Sequence, residues 1–194
     1  MNRYWKCRMT ALMVALAIAG LMACRTGVDE RPQSAASATA AAMPKDPCTL
    51  LKRAEIQALA PNADIGSGVS DTTGLPMAVG CTYTWGPSDP AWGQTSLSVN
   101  VADASQVWPG GLSPADIKER VLVEVRTGGP DASEIPGIGD GAVFTTPPKT
   151  HEAMAKAYVV KGKGVLLLVT FHGGNALAQK DKIIALLKAA AARL

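Results

Sequence analysis

Three residue types in this chain can carry chemistry: four cysteines, two histidines and a group of tryptophans. Cys7 and Cys24 fall within or just after an apolar leader, and Cys48 and Cys81 fall in the body of the chain. No Cys-x-x-Cys occurs, and His151 and His172 lie far along the chain from both later cysteines. A redox-active dithiol and a cysteine–histidine metal centre therefore both lack their parts. An even pair in an exported chain is expected to close as a structural disulfide, Cys48–Cys81. The histidines bracket the last strands: His151 opens one and His172 ends the next, beside Gly173-Gly174. If those strands form a hairpin, both imidazoles share one sheet end. A zinc site would then need Asp140 or Glu152 as third ligand. A serine hydrolase would need a nucleophile elbow, and no Gly-x-Ser-x-Gly is present. The alternative is two strand-end histidines in water, with no catalytic residue and no cofactor. No pair of carboxylates stands out as an acid/base couple; the acids are scattered singly.

Trp92 and Trp108 sit in Pro/Gly-rich loops at opposite ends of one expected strand. They suit either a recognition surface or packing over the edge of the core. Trp85 alternates with Cys81 and Tyr83 and reads as core. Gly137-x-Gly139-x-Gly141 lacks the spacing of a dinucleotide fingerprint and precedes a strand rather than a helix, so it reads as a turn.

The leader sets the address. Arg3, Lys6 and Arg8 precede an apolar run from Met9 to Ala23 that is shorter than the roughly 20 residues a bilayer span needs. Residues 1–23 have the layout of a signal peptide. The run ends Leu21-Met22-Ala23-Cys24, which resembles the lipobox of bacterial lipoproteins, with Leu at −3 and a small residue at −1. That resemblance implies cleavage before Cys24 and attachment of lipid to it. Arg25 is not the Asp associated with inner-membrane retention. The expected location is the outer membrane facing the periplasm in a Gram-negative cell, and otherwise the outer face of the cell membrane. Loss of Arg3, Lys6 and Arg8 takes Lys+Arg from 19 to 16, equal to the 16 Asp+Glu. The net +3 thus belongs to the leader and gives no argument for nucleic acid. Lys156, Lys161, Lys163, Lys180 and Lys182 alternate with apolar residues and read as solvated faces.

Residues 24–45 are rich in Ala, Ser, Thr and Pro, the composition of a tether. Residues 46–194 are long enough for one core. Asp46-Pro47 opens a helix carrying Leu50, Leu51, Ile56 and Leu59, closed by Pro61. Residues 62–76 read as a loop. The alternation at 79–85 and 95–102 predicts a β-hairpin about a turn over 86–93, with Leu97, Val99 and Val101 inward and the other face in water. Ser113-Pro114-Ala115-Asp116 caps a helix that buries Ile117, Val121 and Val125. Strands are expected over 142–146, 153–160 and 165–172, the last two joined by Lys161-Gly162-Lys163-Gly164. Leu177, Ile184, Leu187, Ala191 and Leu194 mark a C-terminal amphipathic helix. The expected class is α+β, an antiparallel sheet with packed helices in the order α-ββ-α-βββ-α and one disulfide.

Asp46-Pro47-Cys48-Thr49-Leu50-Leu51, Glu55, Cys81-x-Tyr83-x-Trp85 and Pro136-Gly137-Ile138-Gly139-Asp140 together resemble a domain of unknown function common in actinobacterial lipoproteins. Lys52 departs from that pattern, standing where a Ser/Thr helix cap is expected. The resemblance implies a non-enzymatic, membrane-tethered domain with an α/β/α arrangement near the PsbP-like folds. Composition and resemblance lead to one expectation, a non-catalytic envelope lipoprotein that binds an envelope protein or a small ligand. A periplasmic immunity or inhibitor lipoprotein and a metal-assisted hydrolase are the alternatives.

Overall fold

The computed structural model describes residues 43–71, 78–147, 151–158 and 164–194. The leader, Cys24, most of the tether and the 161–163 turn lie outside these residues. Seven strands form one antiparallel sheet in the order β1-β2-β3-β7-β6-β5-β4. They are β1 (Val69–Asp71), β2 (Ala78–Asp89), β3 (Gly93–Asp103), β4 (Ser133–Glu134), β5 (Gly141–Thr145), β6 (Glu152–Tyr158) and β7 (Val165–His172). The helices are α1 (Arg53–Gln57), α2 (Ala104–Val107), α3 (Pro114–Thr127) and α4 (Lys180–Arg193), with 3₁₀ turns at Pro47–Leu50 and Ala176–Gln179. No helix of the described residues is long and apolar enough to cross a membrane.

The central hairpin follows from alternation. Val79 pairs with Val101 and Trp85 with Thr95, so Cys81, Tyr83, Trp85, Leu97, Val99 and Val101 all enter one core. Pairing of β3 with β7, Val99 opposite Val169, joins the two halves of the chain. Ala142 and Phe144 of β5 continue this face, while Val143 points the other way. The first face is closed by the 3₁₀ turns, α1 and α4; the second is covered by α3 where Ile117 and Val121 meet Val143 and Tyr158. Over β2 and β3 that second face carries half-buried Thr82, Thr84, Ser96, Ser98 and Asn100. The side expected in water is thus only partly open.

The observed order is α-βββ-α-ββββ-α once the short edge strands are counted, with the small α2 inserted after β3. Strand β1 lies within the expected 62–76 loop. Its three residues are all exposed, so it carries no alternation to read. Gly68 before it lies against the disulfide, where a Cβ would come 2.5 Å from Cys81 Sγ. The expected single helix from Asp46 is broken at Leu51 and Lys52, both extended. Cys48 and Leu50 are 200° apart on an α-helix, so one helix could not both reach Cys81 and bury Leu50. Leu50, Leu51, Ile56 and Leu59 are nevertheless all buried. Asp46 caps as expected, accepting the Cys48 N–H at 2.9 Å. The 86–93 turn is shorter than expected: β2 runs through Pro87 to Asp89, with a register shift after Trp85. On α4 the buried stripe is Ile183, Leu186, Leu187 and Ala190, and Leu177 is exposed. Ile184, Ala191 and Leu194 only flank that core.

The Trp108 cleft and the histidine end of the sheet

Cys48 and Cys81 are disulfide-bonded, pinning the 3₁₀ turn to β2. The Tyr83 hydroxyl donates to the Cys48 carbonyl at 2.9 Å, and burial, with Asp46 nearby, raises its pKa above the usual tyrosine range.

The two loop tryptophans lie at opposite ends of β3 and do not form one surface. At the first end the hairpin places Glu152 opposite His172, so the expected proximity of the histidines holds: Gly173 N–H donates to His151 O at 2.8 Å. His172 Nε2 lies 2.5 Å from the Trp92 carbonyl oxygen, and its Nδ1 is 3.7 Å from Glu152 Oε1. The Trp92 ring stands 5.2 Å from the His151 ring and rests on Gly174, where a Cβ would meet it at 2.7 Å. Trp92 is therefore built into the sheet end. Asp140 does not approach the histidines; its N–H donates to Tyr158 O at the opposite end of β6. Among the described residues no group of three His, Cys, Asp or Glu side chains could hold a metal.

At the second end, α2 and the loop after it run under α3. Asp103 caps α2 and Ser113 caps α3, whose Asp116 carboxylate accepts from the Ser113 N–H at 2.9 Å and hydroxyl at 2.6 Å. These caps set the two walls of a cleft of about 690 Å³, lined by Val107, Trp108, Leu112, Arg120, Val123 and Glu124 among others. The Trp108 ring packs 6.0 Å from that of Tyr158, and the Arg120 guanidinium lies 4.9 Å from the indole centroid. Gly141 lets α3 sit this close to β5: a Cβ there would meet Ile117 at 2.8 Å. Gly137 and Gly139 have positive φ, which fits the turn reading of that glycine run.

Glu124 forms the side of the cleft nearest the sheet. It accepts from Lys156 Nζ at 2.9 and 3.0 Å and from the Tyr158 hydroxyl. Burial, and then the bond to Glu124, push the Tyr158 pKa far above its usual range, so this hydroxyl acts only as a neutral donor. Lys156, read from the sequence as solvated, is instead half-buried and ion-paired. Lys180 is likewise engaged, donating to Asp131 O at 3.1 Å over the Phe144 ring. In β6, Ala153, Ala155 and Ala157 face the main core, and Lys156 and Tyr158 the other side. The sequence held no sign that α3 would bring Glu124 to them from 32 and 34 residues away.

No protein-family model, curated protein or solved structure matches the chain.

Proposed function

We propose that this chain is a bacterial envelope lipoprotein, anchored through lipid on Cys24, whose domain is a non-catalytic binding module with the Trp108 cleft as its binding surface. The observation that carries the reading is the cleft's composition. A half-buried tryptophan stands beside Arg120, and Val107 and Val123 are exposed at its rim. Large apolar side chains in water rimmed by charge mark interaction surfaces, and Trp and Arg are the residue types that most often anchor them. Two of the three acids lining it are committed to structure, Glu124 to Lys156 and Tyr158 and Asp116 to the α3 cap, which leaves Glu119. That favours recognition over proton transfer. Trp92 contributes to the sheet end rather than to this surface.

The reading is tested by a photo-crosslinking amino acid at Val123 in intact cells. It predicts one dominant adduct that disappears in Trp108→Ala at normal protein level. A set of adducts unchanged by Trp108→Ala would count against the cleft as the binding surface.

A further inference from the structure

We infer that the outward face of α3, with the rim of the Trp108 cleft, docks on the surface of an anionic phospholipid leaflet; the inference rests on the reading of Cys24 as a lipid anchor and names the partner of that same surface.

Five large apolar side chains among the described residues are exposed, and three of them, Val107, Leu122 and Val123, belong to α2 and α3. At 100° per residue, Glu119, Leu122, Val123 and Arg126 share one arc opposite buried Ile117 and Val121. Lys118 and Arg120 stand on its two shoulders. Lys118, Arg120 and Arg126 make no ion pair among the described residues, whereas Lys156 and Arg193 are both paired. Apolar residues flanked by cations, with tryptophan at the edge, form the pattern of a helix lying in a membrane interface. The acids of this face are Asp116 and Glu119, of which Asp116 is tied to Ser113. Both oppose a negative surface, since the Ser113 bonds hold the Asp116 carboxyl below its usual range and keep it charged; Lys118, Arg120 and Arg126 outnumber them.

Chain length supplies the second argument. Only 18 residues separate Cys24 from Met43. Such a segment reaches at most about 65 Å, with a root-mean-square span on the order of 25 Å if flexible. A domain of this size has a radius of gyration of about 15 Å. The anchor would therefore keep the domain close to the leaflet. A weak second contact becomes effective at such local concentration, as two-signal membrane attachment requires.

The test uses the mature lipidated protein, reconstituted by its own anchor into vesicles containing chain-brominated lipid. One set is pure phosphatidylcholine, and the other is one-third phosphatidylglycerol. Docking predicts quenching of tryptophan fluorescence in the anionic set, lost in Trp108→Phe and in Leu122→Asp/Val123→Asp. Arg126→Ala should lower the ratio of docked to undocked protein about fivefold, the usual effect of one basic residue near an anionic surface, and Glu119→Lys should raise it. Equal quenching in the parent and Leu122→Asp/Val123→Asp, or none in either, would overturn the inference. So would capture of Val123 by a protein in preference to lipid. The mass of the N-terminal peptide reports lipid attachment separately, so failure of the anchor and failure of docking leave different records. If the anchor is absent, the same quenching is read with vesicles added to the unanchored protein.

Discussion

Glu124 shows how much of this domain's chemistry is held in side-chain partners distant in sequence. Its carboxylate is the shared acceptor for Lys156 and Tyr158. Removing it strands a half-buried ammonium and a buried hydroxyl. Glu124→Ala is expected to cost about 2 kcal/mol, read as a lower urea midpoint. The triple variant Glu124→Leu/Lys156→Met/Tyr158→Phe should recover most of that loss, because apolar groups of similar size need no partners. At the other end of β3, Gly174→Ala would drive a methyl into the Trp92 indole. The expected result is a loss of about 1–3 kcal/mol and a changed near-ultraviolet tryptophan signal; an unchanged spectrum would contradict the packing described. Both tryptophans, both histidines and the disulfide pair were visible in the sequence, since residue type and alternation flag them. Glu124 and Arg120 were not, because on α3 they look like any other charged residue of a solvated face.

At the scale of elements, α4 is fastened to α1 by one ion pair. Arg193 Nη2 lies 2.5 Å from Glu55 Oε1, and Nη1 also donates to Leu50 O at 2.7 Å. The bond from Arg193, and then the Lys52 N–H, hold the Glu55 pKa below its ordinary value of 4.5. A carboxylate depressed on folding contributes stability above its unfolded pKa and loses it as pH falls through the folded one. Thermal stability is therefore expected to fall below about pH 4.5, and Glu55→Gln should flatten that part of the profile while lowering stability at pH 7. Elements with a long periodic pattern were legible: the 79–85/95–102 hairpin, α3 with its Ser113 cap, and β7. Those missed were short or constrained from outside. Strand β1 has three residues, all exposed, β4 has only two residues, and the 46–59 helix is broken where Cys48 and Leu50 must both turn into one core, which a continuous α-helix would not allow.

At the scale of the molecule, the sheet divides the domain into a large core under α1 and α4 and a small one under α3. The disulfide fastens the first core to the start of the domain. Closing a loop with a sequence separation of 33 residues should stabilise the fold by about 3–4 kcal/mol. Cys48→Ser/Cys81→Ser is expected to lower the urea midpoint accordingly, with the sheet retained. The fold class was legible because alternation and caps recur along the chain. The second helical layer was implied only by the resemblance, because nothing in α3's own pattern says which face of the sheet it covers. The proposed role depends on an address outside the described residues, so it is tested there. The most direct measurement is metabolic labelling of the protein with a radioactive fatty acid in its native cell, beside Cys24→Ala. Label in the membrane-bound parent, absent from Cys24→Ala along with membrane retention, is the predicted result. An unlabelled parent, or label that persists in Cys24→Ala, would contradict the account.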